Sequence, residues 1–374
     1  MTALTLNVFG GMIPRAALQK MPPTGSERAV NCDLLSGDLK AIKLPTIIRQ
    51  LTAPAAAKVA FRIPAELIAG ATDTDIAGSP EDLWVGFESE FSHFVRGPLV
   101  NDKYKRWFWT SEGRPPQYNT LDRIKAGQSA FPLGIPRPTA PPTVAASGGN
   151  VALTETRCYV YTFISQFGEE GAPSEPTCQP GNSDGTWTLG GMNTTVPAPY
   201  NIAGHITKKR IYRTVTGQTG GSFFFVAEVA MGDAGYTDTL SPDQVSLNAQ
   251  LMSDAWAPPP DNLVGLIRHP NGFLVGFTPD SDLHFSLPYR PWAWPAELVL
   301  SVQGRIRALG IFGNAIAVTT GTHPYVAAGT TPGTMTLTKS DASEPCLSRY
   351  AVVSTKDGVL YPSPNGIVLI HPGG

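Results

Sequence analysis

The sequence predicts a mainly β protein: a propeller-like β domain with an inserted immunoglobulin- or fibronectin-like β-sandwich. Four observations carry that expectation. Gly (38) and Pro (35) supply about a fifth of the 374 residues without a collagen-type repeat, so the chain must turn often. Tight Asn/Asp-Gly turns precede apolar strands in "PNGFLVGF" (270–277), "GNAIAVTT" (313–320), "DGVLYPS" (357–363) and "NGIVLI" (365–370). The turn residues Gly272, Gly313 and Gly358 lie 41 and 45 residues apart, a spacing shown by propeller blades. Two proline-rich linkers, "FPLGIPRPTAPPT" (131–143) and "WAPPPDN" (256–262), fence a segment of about 115 residues made of short strands.

In chain order, residues 1–60 read as an N-terminal arm or platform of short apolar runs and turns. Within it "SERAVNCDLL" fits a short helix or an extended arm, and "TAPAAAKVAF" a connector. Residues 61–138 read as the first part of the propeller-like domain, because "DLWVGFESEF" alternates and "KRWFWT" is aromatic and strand-like. Residues 139–258 form the expected sandwich. Its first strand, "RCYVYTFIS", puts Tyr159, Tyr161 and Phe163 on one face and Val160, Thr162 and Ile164 on the other. "GTWTLGG", "KKRIYRTV" and "SFFFVAEVA" supply further strands, and "DAGYTDTLSPDQ" closes the unit. Residues 259–374 return to the propeller-like domain. "LHFSLPYRPWAWP" (283–295) echoes "RWFWTSEGRPPQYN" (106–119), an aromatic strand followed by a proline turn, once after and once before the insert. Three or four blades leave a propeller incomplete, so an open edge or a completing partner chain is expected.

The composition narrows the chemistry. A net charge of −2 disfavours a strongly basic DNA-coating protein, and 16% charged residues argue against disorder. The start "MTALTLNVFGGMIPR" has no secretory pattern, and no apolar run reaches a membrane span, so a protein made in a cytoplasm is expected. Cys32, Cys158, Cys178 and Cys346 form no CxxC pair and read as buried or half-buried thiols, with neither zinc site nor disulfide framework. No Walker A loop, GxSxG, HExxH or GxGxxG occurs, so no catalytic, cofactor-binding or metal residue is nominated. The six histidines (His93, His205, His269, His284, His323, His371) are dispersed and read as turn or strand-face residues. "ATDTDIAGSPED" clusters Asp73, Asp75, Glu81 and Asp82 but lacks the ligand register of a calcium loop, so it reads as a solvated acidic loop. "KYKRWFW" (103–109) and "KKRIYR" (208–213) interleave basic and aromatic residues and read as strands with one basic solvent face rather than nucleic-acid patches. Asn193 begins an "NTT" sequon, which carries no weight without a secretory signal.

Three stretches carry a family resemblance. "GGMIPRAALQKMPPTGSERAVNCDLLSGDLKAI" has a Pro-Arg step and then an Asn-x-Asp-Leu-x-Ser-Gly-x-Leu run. "YVYTFISQFGEEGAPSEPT" has a strand followed by an acidic, proline-containing loop. "NLVGLIRHPNGFLVGFTPDSDLHFSLPYRPWAWP" exits through Ser-x-Pro-x-x-Pro-x-x-Trp-Pro. Together they resemble bacteriophage tail nozzle (tail tubular) and head-to-tail joining proteins over most of the chain, in the same order. The resemblance implies a non-enzymatic virion protein of the tail, assembled in the host cytoplasm, without a cofactor. It implies a cyclic ring, commonly a hexamer, around the channel through which double-stranded DNA passes without sequence-specific binding. Other tail, adaptor or portal proteins are the implied partners. The competing expectation is a receptor- or carbohydrate-binding tail or adhesion protein. Trp292 and Trp294 discriminate: a pocket with convergent carboxylates favours the second reading, a subunit contact the first. A secreted fibronectin-like adhesion protein is a third reading, disfavoured by the start of the chain. Glu169, Glu170 and Glu175, expected in a stiff exposed turn, are the candidate contacts to a neighbouring subunit.

Overall fold

The computed structural model describes residues 11–12, 18–20, 22, 25–26, 32–33, 40–41, 56–68, 82–215, 221–341 and 343–371. The chain divides into two compact units, Met1–Thr52 and Ala53–Gly374. In the first, Gly11–Met12 pairs in parallel with Gly25–Ser26, and Cys32–Asp33 pairs antiparallel with Lys40–Ala41. Within "SERAVNCDLL", Ser26, Cys32 and Asp33 are therefore extended; the rest of that stretch lies outside the described residues.

The second unit is mainly β, built from several antiparallel sheets. It begins with a hairpin, Val59–Ile63 against Leu83–Phe87, where a connector had been expected. Of the acidic loop, Asp73, Asp75 and Glu81 lie outside the described residues, and Asp82 pairs with Arg62 at 2.6 Å.

A four-stranded meander follows: Ser92–Arg96, Arg106–Ser111, Arg114–Thr120 and Phe131–Pro132. Its second strand is buried along its whole length. Trp107 and Trp109 pack with Phe94 and the opening hairpin, Trp107 stacking on Phe94 at 4.8 Å. Phe108 takes the opposite face, with Tyr118, Phe131, Leu266 and Leu274. The expected basic solvent face is absent from this strand, because aromatic cores on both sides leave no room for one.

Two more four-stranded meanders come after the insert: Val264–His269, Phe273–Phe277, Asp282–Phe285 and Val299–Ser301, then Ile306–Phe312, Ala315–Thr320, Tyr325–Ala328 and Thr336–Lys339. A three-stranded sheet ends the described chain: Val353–Ser354, Val359–Ser363 and Gly366–Ile370. First strands meet across successive sheets, Val264–His269 lying against both Ser92–Arg96 and Ile306–Phe312. Phe91, Val275, Phe285, Leu309 and Val318 form one core that spans three meanders.

Between the first and second meanders, two sheets share a separate core. One is Thr143–Ser147, Thr186–Gly190 and Tyr236–Asp238; the other is Thr177–Asn182, Thr154–Ser165, Ile206–Thr214 and Phe223–Ala230. Tyr159, Tyr161 and Phe163 enter that core with Trp187, Leu189 and Ile211, as the alternation predicts. Val160, Thr162 and Ile164 on the other face are also buried. The chain leaves and returns at one place. Gly134 has a φ of +96°, and a β-carbon there would stand 2.6 Å from Pro258 Cα, so the outgoing and incoming linkers touch.

The expectation of four thiols is corrected. Cys158 and Cys178 are directly opposite in the pairing of Thr154–Ser165 with Thr177–Asn182, and they form a disulfide. It joins neighbours within one sheet, unlike the inter-sheet bridge of antibody domains. Cys346 is a buried free thiol, and the side chain of Cys32 lies outside the described residues.

Candidate functional site

The residues singled out from sequence come together where the two-sheet insert meets the first and second meanders. Strand Thr154–Ser165 runs straight into the loop 166–176, which folds back: Ser165 N–H donates to the Glu169 carbonyl at 2.9 Å and Ile164 bridges Glu170. Glu169 is therefore only 2% exposed, which corrects the expected exposed turn. Its carboxylate accepts from the Arg106 guanidinium, from Tyr118 Oη at 3.2 Å and from Ser165 Oγ at 3.2 Å. Arg106 Nε donates to Asp102 at 2.7 Å, so this one guanidinium holds two carboxylates. Burial pushes the Glu169 carboxyl up, and Arg106 opposes it. On Arg106, burial acts downward but Glu169 and Asp102 overcome it and hold the pKa above its ordinary value. Tyr118 Oη also meets His205 Nε2 at 3.2 Å, and the imidazole stacks on Phe131 at 4.7 Å. Burial draws His205 down to about 4, so this histidine is a neutral core residue and not a strand-face one.

Glu170 faces the other side of the same loop. It accepts from Thr162 Oγ1 and Tyr212 Oη at 2.7 Å each and from Arg210 at 3.1 Å. Its main-chain carbonyl accepts from Trp292 Nε1 at 3.0 Å. Trp292 packs against the insert's core and lies edge-on to Trp256. Trp294 is buried in the core between the first and second meanders; its Nε1 donates to the Pro291 carbonyl and its backbone N–H to Ala257. Both tryptophans are engaged within the chain, Trp292 half-buried and Trp294 buried. Of the three glutamates only Glu175 is exposed, paired with Arg137 of the outgoing linker at 2.9 Å. The constellation can do one thing chemically: it fixes the insert against the meanders through buried, charge-assisted hydrogen bonds.

A second buried ionic group, missed from sequence, lies inside the insert. Arg213 and Arg157 lie 2.9 and 3.7 Å from Asp238, to which Tyr159 Oη donates at 2.8 Å. Arg157 covers the face of Trp187. Lys209 is also buried, donating to the main-chain carbonyls of Asn193 and Asp233, and burial draws its pKa down to about 8. Thus "KKRIYR" has only a partly basic solvent face: Lys208 and Arg210 pair with Glu228, whereas Lys209 and Arg213 point into protein. The available signal was the period of two that sets Lys209 and Arg213 on the same strand face as Ile211, which lies in the core.

The last sheet presents a different feature. Val359, Tyr361, Val368 and Ile370 pack inward on Phe312 and Ala317. The outward row runs straight across three strands, Val353 opposite Leu360 and Leu360 opposite Leu369, with Pro362 opposite Ile367. Ile367 is 80% exposed, Val353 55% and Leu369 44%. Leu347, whose N–H donates to the Pro362 carbonyl, is exposed as well. An open groove of about 660 Å³, lined by Phe312, Ala315, Val326, Ala328 and His371, lies between this sheet and the third meander.

Among the described residues no cluster of three potential metal ligands occurs, and no helix is long and apolar enough to cross a membrane. No protein-family model and no curated protein matches the chain. Among solved structures it is similar to a crystal structure of BBS1N in complex with ARL6DN, soaked with lead, at 12% identity over 76% of this chain and 93% of that one, with a TM-score of 0.21. The mercury-soaked counterpart matches at 12% identity, covering 76% and 92%, with a TM-score of 0.21. Likeness at this level does not distinguish one β architecture from another.

Proposed function

We propose that the chain is a structural subunit that assembles with copies of itself into a ring, as a tail nozzle or head-to-tail connector of a bacteriophage lining the DNA exit channel. The observation that carries this reading is the outward face of the last sheet. Contiguous exposed apolar residues on a sheet mark an interaction surface, since solvent exposure of such a row is costly. The meanders act as blades of a propeller-like wall and the two-sheet insert as an immunoglobulin-like module held rigidly to it. The insert's attachment supports a part whose work is shape: two salt-bridged glutamates and two tryptophans are spent on holding one orientation. The family resemblance of the sequence supplies the phage setting and the hexameric expectation. The carbohydrate-binding alternative is less favoured, because Trp294 is buried in a core and the half-buried Trp292 is bonded to the Glu170 carbonyl.

Mass photometry of the full chain across a concentration series, with negative-stain electron microscopy, tests the reading. Closed rings of one stoichiometry are expected, alone or with the neighbouring tail proteins. A chain that stays monomeric under all these conditions and is absent from purified virions overturns it.

A further inference from the structure

We propose that the cavity bounded by Arg305, Arg307, Arg349 and Glu112 is a binding site for a phosphate group. The cavity holds about 220 Å³, space for several waters or one small oxyanion. Arg349 is already committed. Its two terminal nitrogens donate to the two Glu112 oxygens at 2.8 and 2.6 Å, and its guanidinium lies over Phe91 at 4.2 Å. Arg305 and Arg307 have no carboxylate at ion-pair distance among the described residues, although the field of Arg305 reaches Glu112. With Glu112 spent on Arg349, the lining carries a surplus of two positive charges.

Arg307 is placed there by a backbone irregularity. In the third meander Ile306 pairs with Thr320 and Ala308 with Thr319, so Arg307 is an extra residue with no partner position. Such a bulge re-aims a side chain at the cost of local pairing. The Arg307 Nε is buried and has no hydrogen-bond partner. An orphaned buried guanidinium N–H costs free energy that an oxyanion in the cavity would recover. Gly321 lies beside Arg307: a β-carbon there would stand 3.8 Å from Arg307 Nε and Nη2, in ordinary contact. Val264 and Ile306 give the cavity apolar walls, which strengthen charge recognition. Two unpaired guanidinium forks match the several oxygens and double charge of a phosphate better than a single carboxylate.

The inference stands apart from ring assembly, since a monomer that binds phosphate upholds the one and not the other. Calorimetric titration of the full chain with inorganic phosphate at constant ionic strength tests it. Saturable binding is expected, weakened at least tenfold in the Arg305→Ala/Arg307→Ala variant, with melting in the absence of phosphate close to the parent's. Arg305→Ala alone, an exposed position, gives the same direction should the double variant not fold. Absence of saturable binding, or equal binding by the variants, overturns the proposal. A fluorescein-labelled DNA duplex separates the sources of the phosphate, and either result upholds the site. Duplex binding that phosphate competes away and the variants lose assigns a nucleic-acid backbone; phosphate binding without duplex binding assigns a small free anion.

Discussion

Arg106 is buried and its single guanidinium pairs with both Asp102 and Glu169. Removing one partner of a buried ion pair strands the other, which costs far more than the pair's net contribution. Arg106→Met is therefore expected to cost about 3–5 kcal/mol in urea unfolding. Adding Glu169→Leu to it should recover a large part, since Asp102 keeps backbone partners in Tyr104 N–H and Arg106 N–H. A double variant as unstable as the single one would show that the pair itself, not the stranded carboxylate, carries the energy. His205 sets the acid limit at this same junction. Its folded pKa of about 4 lies below the model-peptide value of 6.5, so the unfolded chain binds the extra proton between these pH values. Stability from this group is intact above pH 6.5 and falls as pH drops toward 4, by an amount on the order of 3 kcal/mol. In His205→Phe the urea midpoint should lose less between pH 7 and pH 4.5 than in the parent. An unchanged pH slope would remove His205 from the account.

At the scale of elements, the turn-strand units were legible because Asn-Gly and Asp-Gly turns and alternating apolar residues are local signals. "PNGFLVGF" and "GNAIAVTT" both lie at the centres of meanders, as second strands. What was not legible depends on register and on distant neighbours. Cys158 and Cys178 are 20 residues apart, and only the folded-back loop between them makes them opposite. Glu169 and Glu170 looked solvated because glutamates in a Gly/Pro loop usually are; their cations, Arg106 and Arg210, come from other strands. The bulge at Arg307 has no sequence mark at all. The linker crossing is an element-scale property with its own test. Gly134 adopts a left-handed φ against Pro258 and Pro259, so an added methyl meets both strain and backbone. Gly134→Ala is expected to destabilise by about 2–4 kcal/mol. It should also speed proteolysis within 136–142, whereas Gly113→Ala, left-handed but in open space, should cost only ~1 kcal/mol. Equal effects at the two glycines would argue against a close crossing.

For the whole molecule the decisive asymmetry lies between the meanders and the last sheet. The three meanders bury both faces of their second strands, whereas the last sheet buries one face and offers Val353, Leu369 and Ile367, with the half-exposed Leu360, to solvent on the other. A row of that kind is expected to find a partner surface, and a heterologous contact repeated around an axis closes into a ring. Lysine on the outward face should block that contact without touching the core, because Ile367 and Leu369 point away from Phe312, Ala317 and Tyr361. Ile367→Lys/Leu369→Lys should therefore melt within a few degrees of the parent, as exposed substitutions usually change stability by less than about 0.5 kcal/mol each. In mass photometry the same variant should shift rings to monomers. Val368→Lys, one residue along and facing inward, should instead unfold the sheet. Rings that survive the double lysine variant would move the subunit contact elsewhere on the molecule, whereas monomers that keep the parent's melting curve would fix it on this face.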